Sequence, residues 1–360
     1  MKKLRVGIVG ATGMVGQRFI KLLSGHPWYE VSALAASKSS SGKSYAEAVE
    51  GRWMMDTAIP EEIAGMTVMD AIDVEAVAGG ADFIFCAITA PKDETLRLEE
   101  AYARAETPVV SSNSATRMTP DVPMIIPEIN PEHAAIIDAQ RKRLGTSRGF
   151  ITVKPNCSIQ SYVPALHPLL EFEPDKVIVS TYQAISGAGK TFSSWPEMVD
   201  NVIPYISGEE DKSEREPLKV WGYISANGIE LAKSPVISAT CVRVAASDGH
   251  MASVSVGFVK KPSASDILAK WKEFEPLPQR WSLPSAPKPF LKYMEENDRP
   301  QTRLDRDYER GMGVTIGRLR EDPVLDYRFV ALSHNTLRGA AGGSVLTAEL
   351  LTREGYISAK

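Results

Sequence analysis

A run of glycines directly after a short β-rich segment constrains the fold of this chain more than any other feature. The β-rich segment is Leu4 to Val9, and a helix-like segment follows from Gly13 to Leu23. The glycines lie at Gly10, Gly13 and Gly16, a variant of the G-x-G-x-x-G spacing. Glycine lets the backbone turn tightly between strand and helix and approach a pyrophosphate closely. The pattern predicts a βαβ unit that binds a dinucleotide.

Strand-like and helix-like segments keep alternating through the first third of the chain. A helix is predicted over Glu94 to Arg104. Further strands are predicted over 29–35, 82–88, 108–111 and 124–126. This alternation predicts a Rossmann-like α/β domain with a parallel sheet and right-handed crossovers.

The pattern changes near residue 150, where longer β-rich runs follow one another with fewer helices. These runs are 176–185, 236–244, 251–259, 314–319 and 327–332. They predict an α+β domain with a mostly antiparallel sheet. Two segments are interpreted as loops, the charge-dense 207–217 and the proline-containing 275–300. We therefore expect a nucleotide domain of residues 1–155 plus 339–360, and a catalytic and dimerisation domain of residues 156–338.

Bulk properties exclude several classes of function. The chain has 360 residues and a net charge of −4, which gives no general attraction to nucleic acid or membranes. No apolar run approaches the ~20 residues that span a bilayer, and the N-terminus lacks a signal-peptide pattern. Cys86, Cys157 and Cys241 are far apart and form no CxxC pair, which predicts neither disulfides nor a metal site. A cytoplasmic setting is expected.

The segment after the second predicted strand bears on the choice of nucleotide. An NAD site usually carries an acidic residue there, which accepts a hydrogen bond from the ribose 2′-hydroxyl. Residues 35–43 contain no acid but offer hydroxyls and ammonium groups, among them Ser37, Ser40 and Lys43. Such groups suit a 2′-phosphate, so the sequence favours NADP over NAD.

Cys157 is the candidate nucleophile. It lies between the β-like run 149–153 and the helix-like run 159–170. A thiol at the first turn of a helix is expected to have a lowered pKa, because the helix dipole stabilises the thiolate. Such a thiolate needs a partner that exchanges protons near neutral pH. His250 and His334 both follow or precede β-rich runs, and the residues alone do not separate them.

Several motifs taken together resemble the aspartate-β-semialdehyde dehydrogenases. They are Gly10 to Gly13, Ser112 to Arg117, Pro155 to Cys157, Gln183 to Gly189, Arg243 before His250, and Ser333 to Gly343. Asn201 to Tyr205 and Arg299 to Arg306 resemble the archaeal and fungal branch. The resemblance runs from about residue 5 to 355 and implies a fold of the glyceraldehyde-3-phosphate-dehydrogenase type.

The resemblance implies NADPH-dependent reduction of L-aspartyl 4-phosphate to aspartate 4-semialdehyde, a step toward lysine, threonine, methionine and isoleucine. Cys157 would form a thioester, and His250 would be the acid–base residue. Gln183 would orient the substrate near the thiol. Asn156 would either contribute to an oxyanion environment or cap a helix.

Charged residues would recognise the substrate. By resemblance, Arg243 binds the α-carboxylate in a bidentate geometry, and Lys212 supports the phosphate or the substrate. Glu209 is favoured over Glu210 as the group that binds the α-ammonium. Arg117 would bind phosphate, with Asn113 and Lys92 nearby.

The expected cofactor contacts extend over the whole chain. They are Gly10, Thr12, Gly13, Met14, Val15, Ser37, Ser40, Lys43, Ser186, Gly187, Asn335 and Thr336. A homodimer or homotetramer is expected, with a small molecule as substrate and neither nucleic acid nor membrane as partner.

One residue departs from the family pattern, and three alternative functions remain. Lys154 stands where many relatives have Asn, and its side chain is not expected to face the substrate. A malonyl-CoA reductase would use the same thiol, histidine and NADPH, but it would give Glu209 no ammonium to bind. A dehydrogenase of N-acetylglutamyl phosphate fits the Asn-Cys-Ser segment poorly. A nucleotide-sensing protein without catalysis would have no need of Cys157.

Overall fold

Six parallel strands form the first of two large sheets in the computed structural model, which describes residues 2–360. Their order across the sheet is β3-β2-β1-β4-β5-β6. Their bounds are β1 Leu4–Val9, β2 Tyr29–Ala36, β3 Val68–Asp70, β4 Phe83–Cys86, β5 Val109–Ser111 and β6 Ile151–Val153. The parallel sheet predicted from the glycine-rich turn is confirmed. The predicted strand at 124–126 is wrong, since only Met124 makes an isolated bridge, to Val153.

Seven strands form the second sheet, in the order β13-β14-β15-β12-β7-β11-β8. A separate hairpin consists of β9 and β10. The bounds are β7 Pro174–Gln183, β8 Val202–Ile203, β9 Tyr223–Ser225, β10 Gly228–Glu230, β11 Val236–Val244, β12 His250–Phe258, β13 Leu291–Met294, β14 Val314–Glu321 and β15 Tyr327–Ser333. Only the pairs β7–β11 and β13–β14 are parallel, so the sheet is mostly antiparallel.

The helices flank the two sheets. Their bounds are α1 Met14–Leu23, α2 Tyr45–Ala48, α3 Glu61–Ala64, α4 Val74–Gly80, α5 Lys92–Arg104, α6 Ile137–Leu144, α7 Ile159–Leu166, α8 Glu209–Val220, α9 Ala264–Glu273, α10 Leu277–Arg280, α11 Thr302–Asp305, α12 Tyr308–Gly311 and α13 Gly342–Arg353. The C-terminal α13 packs against α1 and β5, and therefore returns to the first sheet. None of the helices within residues 2–360 is long and apolar enough to cross a bilayer.

The charge-dense segment 207–217, interpreted as a loop from sequence, belongs mostly to α8. Its first turn carries Glu209, Glu210 and Asp211, where carboxylates stabilise the positive end of the helix dipole. One face of the helix is buried and includes Glu209, Ser213 and Glu216. The interpretation failed because the buried acidic residues have partners inside the protein, so a high density of charge here does not indicate a solvated loop. The second predicted loop, 275–300, is also wrong in part, since it contains α10 and β13.

One face of the second sheet is covered by α7, which packs against β12, β14 and β15. Apolar side chains on β7 and β11 remain exposed, among them Ile178, Tyr182 and Val236. An exposed apolar patch of this kind is typical of a surface that binds another protein chain.

Candidate active site

A cavity of about 390 Å³ lies where β6 leads into α7 and where the chain returns from β15 to α13. It brings together predicted residues that are far apart in sequence. They are Val15, Asn113, Arg117, Asn156, Cys157, Gln183, Ser186, Gly187, Glu209, Lys212, Arg243, Asn335 and Thr336. Catalytic, substrate and cofactor candidates thus share one space.

Cys157 is half-buried and lines this cavity. Burial raises the pKa of its thiol, and the Glu209 carboxylate raises it further. The cations Lys154, Arg117 and Arg243 act in the opposite direction. The expected lowering of the pKa by the helix alone is therefore wrong for this arrangement. Burial and the charges around the cavity together set the pKa of the thiol, and burial is the larger cause.

His250 lies at the start of β12 and is fully buried behind Gly187. A Cβ placed on Gly187 would lie 3.0 Å from His250 Nε2, so the imidazole lies directly behind the cavity wall. The backbone N–H of Ala184 donates to His250 Nδ1 at 3.1 Å. The neutral ring therefore carries its proton on Nε2, and Nε2 has no partner within residues 2–360. Burial, and then Arg243, lower the pKa of His250 to about 3.

His334, the other candidate from sequence, is also buried, and neither histidine lines this cavity itself. His250 lies behind the lining residue Gly187, whereas His334 lies against Gly311, which is not part of the lining. Its Nε2 lies 3.8 Å from an Asp307 carboxylate oxygen, and burial lowers its pKa to about 4. The two histidines that sequence logic left equal are therefore separated by position, and His250 is the one beside the cavity.

Glu209 is the acceptor of a buried hydrogen-bond cluster. Lys212 Nζ donates to Glu209 Oε1 at 2.7 Å, and Asn156 Nδ2 donates to both carboxylate oxygens at 3.0 Å. Gln183 Nε2 adds a contact of 3.3 Å. Burial alone would raise the pKa of Glu209, but Lys212, Asn156 and Gln183 hold it below its usual range. Glu210 instead accepts from the Cys241 backbone and does not line the cavity.

The side chain of Asn156 is fully occupied by the protein. Its Oδ1 accepts from the Ser158 backbone N–H at 2.7 Å, and its Nδ2 is bonded to Glu209. The capping alternative is wrong, because the N-cap of α7 is Ser158 and no side chain in the described part of the protein caps this helix; Oδ1 of Asn156 bonds the chain just before α7 begins. A contribution of Asn156 to an oxyanion environment stays a prediction.

Arg243 faces the cavity from β11 and forms no ion pair within residues 2–360. Its Nη1 donates to the Ala184 carbonyl at 2.7 Å. Burial lowers the pKa of Arg243, while Cys157 and Glu209 act in the opposite direction. A buried guanidinium without a carboxylate has the charge to bind an anionic ligand.

Arg117 is held in place by several contacts. Its Nη1 donates to Glu216 Oε1 at 2.9 Å, and its Nε donates to the Lys154 carbonyl at 3.1 Å. The second Glu216 oxygen accepts from the Asn156 backbone N–H at 2.6 Å. Glu216 thus joins the predicted phosphate-binding arginine to the segment that carries the nucleophile.

Asn113 and Lys92 have different surroundings. Asn113 Nδ2 donates to the buried Glu99 at 2.9 Å, and burial raises the pKa of that carboxyl. Lys92 starts α5 and lines a neighbouring cavity of about 150 Å³ together with Arg117 and Lys212. Asn113 therefore lies in the main cavity, whereas Lys92 lies beside it.

Four of the predicted nucleotide-binding residues line a second large cavity, of about 460 Å³, at the end of β1. Gly10 has φ +93°, and a Cβ there would lie 2.4 Å from the Ala87 carbonyl oxygen, so this turn requires glycine. Gly13 precedes α1 without a side-chain cap, which leaves backbone N–H groups for an anion. The geometry of the turn therefore fits a bound pyrophosphate.

The predicted cofactor residues are distributed unevenly. Gly10, Thr12, Gly13 and Ser37 line the nucleotide cavity, and so does Lys38, which the sequence analysis did not select. Met14 lines a third cavity of about 300 Å³. Ser40 is buried and Lys43 exposed, and neither lines these cavities.

Asn335 connects the C-terminal return of the chain to the cavity wall. Its Oδ1 accepts from the Gly249 backbone at 2.8 Å, and its Nδ2 donates to Ser186 Oγ at 2.8 Å. Thr336 lines the same cavity. Asn335 therefore ties the end of β15 to the turn that precedes His250.

Sequence reasoning missed three buried charged residues at this site, Glu216, Lys219 and Lys154. Lys219 Nζ donates to the carbonyls of Arg117, Thr119 and Val122. Helical spacing from Glu209 would have pointed to Glu216, seven positions later, had the segment been assigned as a helix. No group of three or more metal-ligating side chains occurs within residues 2–360.

Two family descriptions match the chain. "Semialdehyde dehydrogenase, NAD binding domain" matches residues 5–137, and "Semialdehyde dehydrogenase, dimerisation domain" matches residues 166–338. The aspartate-semialdehyde dehydrogenase of Archaeoglobus fulgidus is 43% identical over 98% of this chain and 99% of its own length. That of Aspergillus fumigatus is 41% identical over 99% of both chains.

Solved structures agree with these matches. The aspartate-semialdehyde dehydrogenase of Candida albicans with NADP is 36% identical and superposes with a TM-score of 0.88, covering 99% of this chain and 100% of its own. An aspartate-semialdehyde dehydrogenase II from Vibrio cholerae, 23% identical with a TM-score of 0.74, covers 99% of this chain and 100% of its own and shares the fold.

Proposed function

This chain belongs to the aspartate-semialdehyde dehydrogenases, and on that basis we propose that the Cys157 cavity reduces L-aspartyl 4-phosphate to L-aspartate 4-semialdehyde. One observation carries the proposal. A thiol, an unpaired guanidinium and a buried carboxylate, from Cys157, Arg243 and Glu209, line the same cavity. Those groups match the electrophilic carbon, the α-carboxylate and the α-ammonium of such a substrate.

Cys157 supplies the nucleophile. Its sulfur attacks the acyl carbon, a carbon–sulfur bond forms, and the carbon–oxygen bond to phosphate breaks with its electron pair leaving on the phosphate. NADPH, when bound, supplies the hydride that reduces the resulting thioester. The carbon–sulfur bond then breaks, which releases the aldehyde and returns the thiolate on Cys157.

His250 stabilises charge on the reacting oxygen. Its Nε2–H is held toward the cavity wall by the Ala184 contact to Nδ1. A hydrogen bond from this atom stabilises the negative charge that develops on the carbonyl oxygen during attack and reduction. In the oxidative direction, the proton of the thiohemiacetal hydroxyl would pass to Nε2 of His250. This transfer requires the tautomer that carries its ring proton on Nδ1, and therefore loss of the Ala184 N–H contact to Nδ1.

The remaining polar residues bind and orient the substrate. Arg243 binds the α-carboxylate, and Glu209, with its pKa held low, binds the α-ammonium. Gln183 donates to Glu209, lines the cavity together with the thiol, and orients the acyl group. Arg117 and Lys212 bind the phosphate side of the molecule, with Asn113 and Lys92 nearby.

The nucleotide is NADP. Its pyrophosphate would contact the backbone at Gly10 and Gly13, and Ser37 and Lys38 would contact the 2′-phosphate. The nicotinamide would lie against Ser186 and Asn335, which are hydrogen-bonded to each other beside Cys157. A dinucleotide held by these residues would extend from one cavity to the other.

The buried carboxylate favours an amino-acid substrate over malonyl-CoA. Malonyl-CoA has no ammonium, so it would leave Glu209 with Lys212 as its only cationic partner among the described residues and would gain no contact from this carboxylate. The same argument disfavours any acyl substrate that carries no amine.

We propose the domain division 1–155 plus 339–360 and 156–338, because α13 returns to the first sheet. The exposed apolar face of β7 and β11 would pair subunits into a homodimer or homotetramer. A cytoplasmic setting suits a mechanism that needs a free thiol at Cys157.

The reaction is tested in the oxidative direction. Purified protein should reduce NADP when given aspartate semialdehyde, and only when inorganic phosphate is present. Cys157→Ala should lose at least about three orders of magnitude in rate yet still bind NADP. Reduction that does not depend on phosphate, or activity with malonyl-CoA and NADPH alone, would contradict the proposal.

A further inference from the structure

Lys154 lies within the proposed phosphate-binding region, at a position where many relatives have Asn. Its backbone N–H donates to the Ser111 carbonyl at 3.0 Å, and its carbonyl accepts from Arg117 Nε at 3.1 Å. Ser111 and Arg117 are the two ends of the loop that carries Asn113. The position of Lys154 is therefore fixed from both sides against this loop.

The lysine also borders the nucleophile. It precedes Cys157 by three residues, lines the same cavity, and is only 3% exposed. Its ammonium donates to the neighbouring Pro155 carbonyl, which leaves two of its three hydrogens for other acceptors. The sequence analysis did not expect this side chain to face the substrate, because its place in the cavity lining is visible only in the structure.

The other cations of the region are mostly balanced by carboxylates. Arg117 is paired with Glu216 at 2.9 Å, and Lys212 with Glu209 at 2.7 Å. Arg243 has no carboxylate partner within the described part of the protein, and in the proposed function it binds the α-carboxylate of the substrate. Lys154 forms no ion pair within residues 2–360, so its charge is left without a counter-ion beside the phosphate loop.

We propose that Lys154 is a phosphate-binding residue of the active site, which contacts the acyl-phosphate group of the substrate and the inorganic phosphate of the reverse reaction. This inference rests on the proposed function. Arg117 is already paired with Glu216 and neutralises the phosphate charge only in part. Lys154 supplies the remaining positive charge.

Burial energetics agree with such a role. Burial, and then Arg117, lower the pKa of Lys154 to about 7, while Cys157 and Glu216 act in the opposite direction. A buried ammonium without a counter-ion is unfavourable, and a bound phosphate dianion supplies the missing charge. Phosphate leaving the acyl carbon takes the electron pair of the broken bond, and an adjacent ammonium stabilises that charge.

Two substitutions test the proposal. Lys154→Met removes the charge and keeps a side chain of similar length, and Lys154→Asn introduces the residue that many relatives have at this position. In the oxidative direction, the KM for inorganic phosphate should rise about 10- to 100-fold, the range expected for one lost charge-assisted contact. The KM values for aspartate semialdehyde and NADP should stay within about twofold of wild type.

A second readout needs no turnover. Inorganic phosphate should protect Cys157 of the wild-type protein from iodoacetamide, and the variants should need at least about tenfold more phosphate for the same protection. Lys272→Met, which removes an exposed lysine of α9, is the control and should match wild type in every measurement.

The possible failures are distinguishable. Wild-type protein that reduces NADP without phosphate contradicts the proposed function itself. An unchanged phosphate KM in folded variants overturns the role of Lys154. An equal rise of all three KM values, or failure of both variants to fold, makes Lys154 a structural residue and also overturns it.

Discussion

Gly339 packs directly against Cys157, so that a Cβ on the glycine would lie 2.7 Å from the Cβ of the cysteine. The contact brings the start of the C-terminal return to the nucleophile. Gly339→Ala should push Cys157 out of line and lower kcat about 10- to 100-fold, because misplacement by a fraction of an ångström to 1 Å is costly. Steady-state kinetics test this. Gly79→Ala, where a Cβ meets nothing within 4 Å, is the control and should keep wild-type rates.

Gly187 separates two groups of the site. A Cβ there would lie 2.9 Å from Arg243 Nη1 and 3.0 Å from His250 Nε2. Gly187→Ala should therefore raise the KM for aspartate semialdehyde and lower kcat, each by about tenfold. Initial rates at varied aspartate semialdehyde measure both effects. Wild-type values for both would mean that the imidazole does not reach the substrate past this glycine.

Glu216 holds Arg117 and the Asn156 backbone together. Glu216→Gln leaves a buried guanidinium without its counter-ion, and the free energy of unfolding should fall by about 3 kcal/mol. Denaturant unfolding followed by circular dichroism measures the change. Asp211→Asn, which removes the exposed pair with Arg215 on the same helix, should change it by less than about 0.5 kcal/mol. Equal effects of both changes would contradict the assigned role.

Two lysines after β2 should differ in their contribution to nucleotide choice. Lys38 lines the nucleotide cavity, whereas Lys43 does not. Lys38→Ala should lower the preference for NADP over NAD about tenfold, the effect of one lost charge-assisted contact to the 2′-phosphate. The ratio of kcat/KM for the two nucleotides measures it. Lys43→Ala should give a smaller change, and the opposite order would favour the residue selected from sequence.

His167 should make stability depend on pH. Burial lowers its pKa to about 4, below the value near 6.5 of the unfolded chain. Between these values the unfolded state binds the extra proton, so stability falls as the pH drops from about 6.5 toward 4. In His167→Phe, the slope of unfolding free energy against pH should be shallower in this window, by up to about 1.4 kcal/mol per pH unit. Denaturant melts at pH 4.5, 5.5 and 6.5 compare the slopes, and equal slopes would contradict the prediction.

Local signals in the sequence were sufficient for the first sheet. The turn at Gly10 can be predicted because its φ of +93° and its close approach to Ala87 leave room for no other residue. Strand β3 was missed, since Val68–Asp70 is too short to carry a period. Five of the seven strands of the second sheet were found from long β-rich runs, whose pairing partners the runs alone do not identify. Strand β8 was missed, and β13 lies in the segment 275–300 that was interpreted as a loop.

The chemistry of the site depends on groups that only the fold brings together. The pKa of Cys157 is set first by burial and then by Glu209, Lys154, Arg117 and Arg243, and three of these four residues lie far from it in sequence. The segment 207–217 was interpreted as a solvated loop because its partners are distant in the chain. Glu216, for example, is bonded to Arg117 and to the Asn156 backbone.

Helix α8 divides its tasks along its length. Its first turn presents Glu209 to the cavity, whereas Glu216 and Lys219, two turns and more onward, fasten the nucleophile segment and the Arg117 loop. Substitutions in the first turn of α8 can therefore change which substrate is bound, while Glu216 and Lys219 keep the nucleophile segment in place.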